Sequence, residues 1–271
     1  MKCIIFNITF NLIILSCFSQ NKGVFKVSCE FTKNSYAMQR LNNFLLDTLY
    51  NGTSDGYFET SPTNILKNGN NFGLSILYGA SKFQNFGIYG GYQKGKLVRN
   101  WQIESEIDPF SNEKTTINGI YTYETQAFVS GFVSQTFLDQ LFFDNSSKFW
   151  QKASLFVEAE VGLGFSTFRN KEVSTWIEDG ETKSIQLQHY NFHSLDFQGK
   201  ISINFELLLS KSPLISSLGI KAGYQFLQTK NIKNDAGDVI TYRIDNGITN
   251  QVKSNLDFSG VFAGLFFTIG K

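Results

Sequence analysis

The chain is 271 residues long, has a formal charge of +1, and is 17% charged and 15% aromatic, with 28 Phe, 11 Tyr and only 3 Pro. A balance this close to neutral excludes an electrostatic nucleic-acid binder. Scarce proline, 23 glycines and many aromatic strand formers favour a β-rich chain, and the length suits one domain.

Met1 and Lys2 precede an apolar stretch from Ile4 to Phe18, interrupted by Asn7, Thr9 and Asn11, with Ser16 and Ser19 near its end. This reads as a cleaved signal peptide over residues 1–20, too short and too interrupted for a membrane helix of about 20 apolar residues. Ile14-Leu15-Ser16-Cys17 offers the alternative of a lipidated Cys17. Loss of the leader removes Cys3 and Cys17. Cys29 then has no partner for an internal disulfide, and no Cys/His zinc spacing is present.

Eight segments alternate at period two, so each presents one polar and one apolar face. Val24 to Phe31 sets Phe25, Val27, Cys29 and Phe31 against Lys26, Ser28 and Glu30. Asn71 to Gly79 turns Phe72, Leu74, Ile76 and Tyr78 away from Gly73 and Ser75. After a tight turn, Gln84 to Lys94 opposes Phe86, Ile88 and Tyr92 to Asn85, Gly87, Tyr89 and Gln93. From Asn118 to Gln135, Tyr121, Tyr123, Ala127, Val129 and Val133 are expected outward, with Thr122, Glu124, Gln126 and Ser130 inward.

Ser154 to Thr167 places Leu155, Val157, Ala159, Val161, Leu163 and Phe165 opposite Glu158, Glu160, Gly162, Gly164 and Ser166. Ser194 to Leu207 has the strongest alternation: Leu195, Phe197, Ile201, Ile203, Phe205 and Leu207 against Asp196, Gln198, Lys200, Ser202, Asn204 and Glu206. Leu218 to Gln228 follows with Leu218, Ile220, Ala222, Tyr224 and Phe226 outward and Lys221 inward. In the last segment, Asn255 to Ile269, Asp257 and Ser259 are expected inward and Leu256, Phe258, Phe262 and Phe266 outward. There Val261, Ala263, Leu265 and Phe267 fall on the inward parity, which calls for a bulge or shifted register near Gly264.

Connections alternate between short or medium links and four long ones, at Thr32–Asn70, Gly95–Ile117, Phe168–Gln188 and Thr229–Ser254. Short turns on one side and long loops on the other are the grammar of a transmembrane β-barrel of the outer membrane. The fold class is therefore all-β: an eight-stranded antiparallel up-and-down transmembrane β-barrel over residues 21–271, with four long outer loops and both termini periplasmic. Tyr36 to Tyr50 carries Leu41, Phe44, Leu45 and Leu49 at helical spacing, a short helix in the first long loop. Trp101, Tyr121, Tyr123, Phe168, Trp176, Tyr190 and Phe192 are expected at the outer membrane rim, and Phe83, Phe142, Phe143, Phe149 and Trp150 at the inner one.

Ten ionisable residues fall on the predicted lumen face: Lys26, Glu30, Glu124, Glu158, Glu160, Asp196, Lys200, Glu206, Lys221 and Asp257. A lumen only wide enough for side chains forces such charges to pair, giving a structural network, with a cation-preferring passage as the alternative. His189 and His193 are the only histidines, and His193 and Ser194 lie on opposite parities with no outward carboxylate to orient an imidazole. The stretches Asn234–Asp238 and Asp245–Gly247 lack calcium-loop spacing and read as turns. No cofactor, metal or catalytic residue is expected.

In leader, strand alternation and loop asymmetry, nearly the whole mature chain resembles the outer-membrane-protein β-barrel domain family, of the OmpA/OmpX type. The resemblance implies an integral outer-membrane protein in contact with lipid and lipopolysaccharide. Many members end on an aromatic residue, whereas this chain ends Phe266-Phe267-Thr268-Ile269-Gly270-Lys271. Phe192-His193-Ser194 also resembles outer-membrane lipid deacylases, which carry a His and a Ser on the lipid-facing wall. The expected function is a non-enzymatic barrel that presents outer loops or serves as an accessory subunit of an envelope complex, meeting a protein partner through outer loops or periplasmic turns. Narrow porin-like transport and lipid-modifying catalysis are the alternatives.

Overall fold

The computed structural model describes residues 24–50, 57–59, 65–104, 116–143, 147–178, 181–209, 215–229, 232–234, 236–237, 239, 241–245 and 249–269. The expected signal peptide, with Cys17, lies outside them. Eight strands form the ring: β1 (Phe25–Ser35), β3 (Asn68–Ser81), β4 (Gln84–Glu104), β5 (Thr116–Phe137), β6 (Ala153–Glu178), β7 (Glu181–Leu208), β8 (Ile215–Leu227) and β11 (Gly260–Ile269). Each pairs antiparallel with its neighbour in the ring, and β11 closes on β1, so no edge is left within the barrel. A short β2 (Tyr57–Glu59) adds to the far end of β4, and a separate hairpin pairs β9 (Thr241–Asp245) with β10 (Thr249–Lys253). No described helix is long and apolar enough to cross a membrane, which says nothing of crossing by strands.

Register defines the geometry. From Phe31 the paired rows run through Phe72, Tyr92, Phe128 and Phe165 to Leu195 in one direction. In the other they run through Leu265 and Ile220 to Phe205. The two paths meet β7 ten residues apart, which is the stagger of the ring. For eight strands this corresponds to a tilt of about 40° and an interior that side chains fill.

The helix of the first loop is present as α1 (Gln39–Tyr50), with Leu41 and Leu45 buried. Two of the expected long loops are largely strand. β4 and β5 pair from Gln84–Thr136 to Glu104–Thr116, and β6 and β7 reach 26 and 28 residues. A membrane-crossing strand needs only about 9–11 residues. More than half of β6 and β7 therefore projects beyond the membrane as a sheet. The turn side is compact, with α2 (Leu138–Phe142) linking β5 to β6 and its buried Asp139 accepting hydrogen bonds from the Leu155 amide and the Ser154 hydroxyl, both at 3.1 Å.

Faces follow the expected parity on β1, β3, β4, β6, β7 and β8, but two strands are reversed. On β5 Phe128 and Phe132 face out, while Tyr123, Ala127, Val129 and Val133 are buried inside. Glu124 is consequently on the outer surface, 3.3 Å from Lys94. On β11 Val261 and Leu265 are each 63% exposed, whereas Phe262 and Phe266 are 3% exposed and point into the lumen. No bulge at Gly264 is involved. Gly219, opposite Phe266, leaves the ring its place: a Cβ there would lie 2.3 Å from that ring.

The aromatic rims also divide. Trp101, Tyr123, Phe168 and Phe192, expected at the outer interface, are buried inside the projecting sheet. At the turn side Phe142, Phe143 and Phe149 are exposed, and Phe143 stacks on Trp150 at 4.7 Å, as an interfacial belt requires.

Phe132, beside Val161 in the apolar wall, tests the corrected face of β5. Phe132→Arg should cost about 2–4 kcal/mol, a charge in hydrocarbon having no water. Glu124→Leu, on the same face beyond that wall, should fold like wild type. Denaturant titration in lipid vesicles, read by heat-dependent gel mobility, checks both.

Candidate functional site

The lumen is filled in layers, each set by side chains that the pleat turns inward. Nearest the turn side, Phe137, Phe156 and Phe266 pack together with centroids 5.2 and 5.8 Å apart. Glu206 lies beside this cluster and accepts a hydrogen bond from Ser217 at 2.7 Å.

Above it five charges meet. Lys200 on β7 bonds Glu30 and, at 3.0 Å, Glu160. Lys221 on β8 bonds Glu30 and, at 2.6 Å, Glu158. Glu30 on β1 thus bridges both ammonium groups across the barrel. All five side chains are at most 10% exposed. Gln135 donates to Glu158 at 2.8 Å and Asn71 to Glu30 at 3.1 Å, so two amides help to satisfy the carboxylates. Tyr89 donates to Gln198 at the edge of the cluster. The Lys200 ammonium lies 4.9 Å from the centroid of Phe262, and that of Lys221 lies 6.0 Å from Phe266, within cation–π range. These contacts explain why two phenylalanines of β11 face a polar lumen.

Carboxylate oxygens of Glu30, Glu158 and Glu160 come within 4.8 Å of one another, close enough to hold a cation. The lysine ammonium groups already sit among them. The space beside Glu160 and Lys200 is about that of one water. A metal ion does not fit this donor set while both lysines remain.

Next comes a layer of amides. Gln225 and Gln93 exchange hydrogen bonds at 2.8 and 3.2 Å, and Asn34 donates to Gln225 at 3.0 Å. The outermost layer is apolar, with Met38, Leu41 and Leu45 beside and within α1, Leu227 at the end of β8, and Phe258 before β11. Asn42 pins the helix by bonding both the carbonyl and the amide of Leu66, at 3.1 and 2.9 Å. Arg99, fully buried, donates to the Leu45 carbonyl at 3.2 Å.

The structure thus brings together Glu30, Glu158, Glu160, Lys200 and Lys221 and places the other five predicted residues elsewhere. Lys26 lines the turn-side mouth with Glu206, apart from the central cluster. Asp196 lies further toward the loop side and accepts from Ser194. Asp257 precedes β11, bonding Gln228 at 2.9 Å and the Ser259 amide at 3.0 Å. Glu124 is outside the barrel. Gln135, Phe262 and Phe266 were not among the predicted lumen residues because the two strands that carry them have the opposite facing from the expected one. Asn234 and Gly237 close a turn by a backbone bond of 2.9 Å; Asp235, Asp238 and 246–248 lie outside the described residues.

No family model and no curated protein matches the sequence. Among solved structures, the chain is similar to the outer membrane protein OprG of Pseudomonas aeruginosa (TM-score 0.36, 10% identity, 93% of this chain and 97% of that one). It is also similar to Ail, the attachment invasion locus protein of Yersinia pestis, in complex with the heparin analogue sucrose octasulfate (0.29, 13%, 92% and 99%). A third is the outer membrane protease OmpT of Escherichia coli (0.29, 9%, 92% and 94%). The eight-stranded antiparallel ring is read from this chain's own strand pairing, closed by β11 on β1.

Removing one partner from a buried pair costs about 3–5 kcal/mol because the other charge is left unpaired. Lys221→Met and Glu158→Gln should each destabilise the barrel on that scale, and the double variant should cost less than their sum by about 0.5–3 kcal/mol. A double-mutant cycle on unfolding in detergent measures the coupling. Simple additivity would show a solvated lumen.

Proposed function

We propose that the chain is a non-conducting, non-enzymatic integral protein of the outer membrane that holds a folded sheet and a helix-bearing loop outside the cell as a binding surface. The observation that carries this reading is the filling of the lumen. An aromatic layer, a paired charge layer, an amide layer and an apolar layer follow one another, and the last is tied to α1 by Asn42 and Arg99. Opening a passage would require breaking buried ion pairs and exposing the apolar layer, each unfavourable by several kcal/mol.

The projecting β4–β7 sheet supports the surface role. Its inner face is packed by Leu97, Trp101, Tyr123, Phe168 and Phe192, so it has a core of its own. A structured sheet presents side chains at lower ordering cost than a flexible loop. The described ends of the ring, Phe25 of β1 and Ile269 of β11, lie on the turn side, and in this reading that side faces the periplasm. Recruitment of a partner subunit from the envelope is an equivalent use of the same surface.

Lipid-modifying catalysis receives little support from the wall. His193 stacks beside Phe165 at 6.1 Å on the outer side, while Ser194 turns inward to Asp196. A nucleophile and base on opposite faces of one strand do not share a proton. The side chain of His189 lies outside the described ones.

In planar bilayers the purified barrel should give no steady conductance above the bare membrane. Reproducible single-channel steps would overturn the reading. On intact cells, an amine-reactive bulky label should modify Lys183, in the hairpin that joins β6 and β7, and leave Lys82, in the β3–β4 turn, untouched. The reverse pattern would invert the topology.

A further inference from the structure

The apolar wall is not equally tall around the barrel. From the turn-side rim, β1 presents Phe25, Val27, Cys29 and Phe31 before Lys33. β3 presents Tyr78, Ile76, Leu74 and Phe72 before Asn70, and β4 runs from Phe86 to Tyr92 before Lys94 and Lys96. In contrast, β6 stays apolar outward from Leu155 to Phe165, and β7 from Leu207 to Leu195. At about 3.3 Å per residue and a tilt near 40°, the wall is roughly 15 Å high on β1, β3 and β4 and roughly 25–30 Å on β6 and β7. A membrane barrel needs an apolar band of about 25 Å. The turn-side ends share one rim, so the shortfall of about 10 Å lies on the loop side of β1, β3 and β4.

An open groove occupies that position. Phe31, Phe72 and Tyr92 form its lower edge, and Lys33, Lys94 and Lys96 its upper part, with Asn68 and Asn70 between. Register sets Lys33 beside Asn70 and Asn70 beside Lys94 on the same face. Lys33 and Lys94 are therefore about two strand spacings, some 10 Å, apart at the backbone, within reach of one another's long stems. Lys94 is 41% exposed and faces Glu124 at 3.3 Å, so among the described residues that line or pair with the groove one acid stands against three bases. Cations directly above exposed aromatic rings suit a ligand with an anionic head and an apolar tail.

We propose that this groove binds the phosphate-bearing head of an anionic glycolipid of the outer leaflet. Its phosphates meet Lys33, Lys94 and Lys96 while its acyl chains cover Phe31, Phe72 and Tyr92. Lowering the head group onto the short wall removes the mismatch that hydrocarbon would otherwise meet at three lysines. The choice of the outer leaflet rests on the topology proposed above; the lipid chemistry does not.

The test uses the full mature chain folded in a neutral detergent, where no leaflets exist and an inverted topology would leave binding intact. Native mass spectrometry counts adducts of bisphosphorylated lipid A, its dephosphorylated form and phosphatidylglycerol. Bisphosphorylated lipid A should bind at least about tenfold tighter than the other two, and each lysine removed should weaken it roughly fivefold. The variant Lys33→Gln/Lys94→Gln/Lys96→Gln should lose the preference, while Arg169→Gln/Lys171→Gln on β6 should keep it. If the triple variant does not fold by heat-dependent mobility, Lys33→Gln against Lys33→Arg separates loss from retention of the charge. Equal loss in the β6 variant, indifference to phosphate, preference for phosphatidylglycerol, or displacement by millimolar inorganic phosphate would each overturn the proposal.

Discussion

Closure of the ring is the constraint on which everything else depends. Eight strands with a ten-residue stagger leave an interior about as wide as the side chains that fill it. Every inward side chain must then find a partner inside. Gly131 and Gly162, directly opposite on β5 and β6, show how tight the wall is: a Cβ on either would lie 2.0–2.1 Å from a backbone oxygen of the neighbouring strand. Where strands approach so closely, only glycine fits. The lumen content is therefore a packing problem solved by charges, amides and rings in turn.

The central charge layer solves that problem with two cations among three anions. Buried ion pairs add little net stability against a well-packed apolar alternative, because desolvation offsets most of the attraction. Their value here is geometric. Glu30 on β1 binds Lys200 on β7 and Lys221 on β8, and these reach Glu160 and Glu158 on β6. The closing strand is thus joined to the middle of the chain across the barrel, not only along its hydrogen-bonded seam with β11. A ring whose first and last strands come from opposite chain ends gains from links of that kind, since slippage by one residue would turn Glu30 out toward lipid and orphan both lysines.

Much of this was legible in the sequence, and the failures have one cause. Period-two alternation identifies two faces but not which of them is dry. On β1, β6, β7 and β8 the apolar face meets lipid, so assigning apolar to outward works. On the loop-side part of β5, water lies outside and the apolar layer inside, so Tyr123 and Ala127 point in and Glu124 points out. On β11 the inward phenylalanines serve lysines of β7 and β8, a tertiary reason invisible in one strand's pattern. The same limit applies to Trp101, Phe168 and Phe192, whose aromatic character suits a membrane interface and a soluble core equally. The pairing of Glu30 with both lysines was foreshadowed only by composition, since residues 170 and 191 positions apart meet through closure alone.

Height along the strand is therefore the variable that the linear pattern conceals. Loop lengths made the outer side appear irregular, yet β4 to β7 continue as sheet for many residues past the apolar wall. Continuation is possible because the inward face changes partner, from the charge layer to the apolar layer, without a break in backbone pairing. The outward face changes partner too, from hydrocarbon to water, and it does so at different heights on different strands. On β6 and β7 this change comes late. On β1, β3 and β4 it comes early, at Lys33, Asn70 and Lys94. A barrel whose lumen is filled by its own side chains presents chiefly its outer wall and its projecting sheet to other molecules, and the uneven boundary lies on that wall.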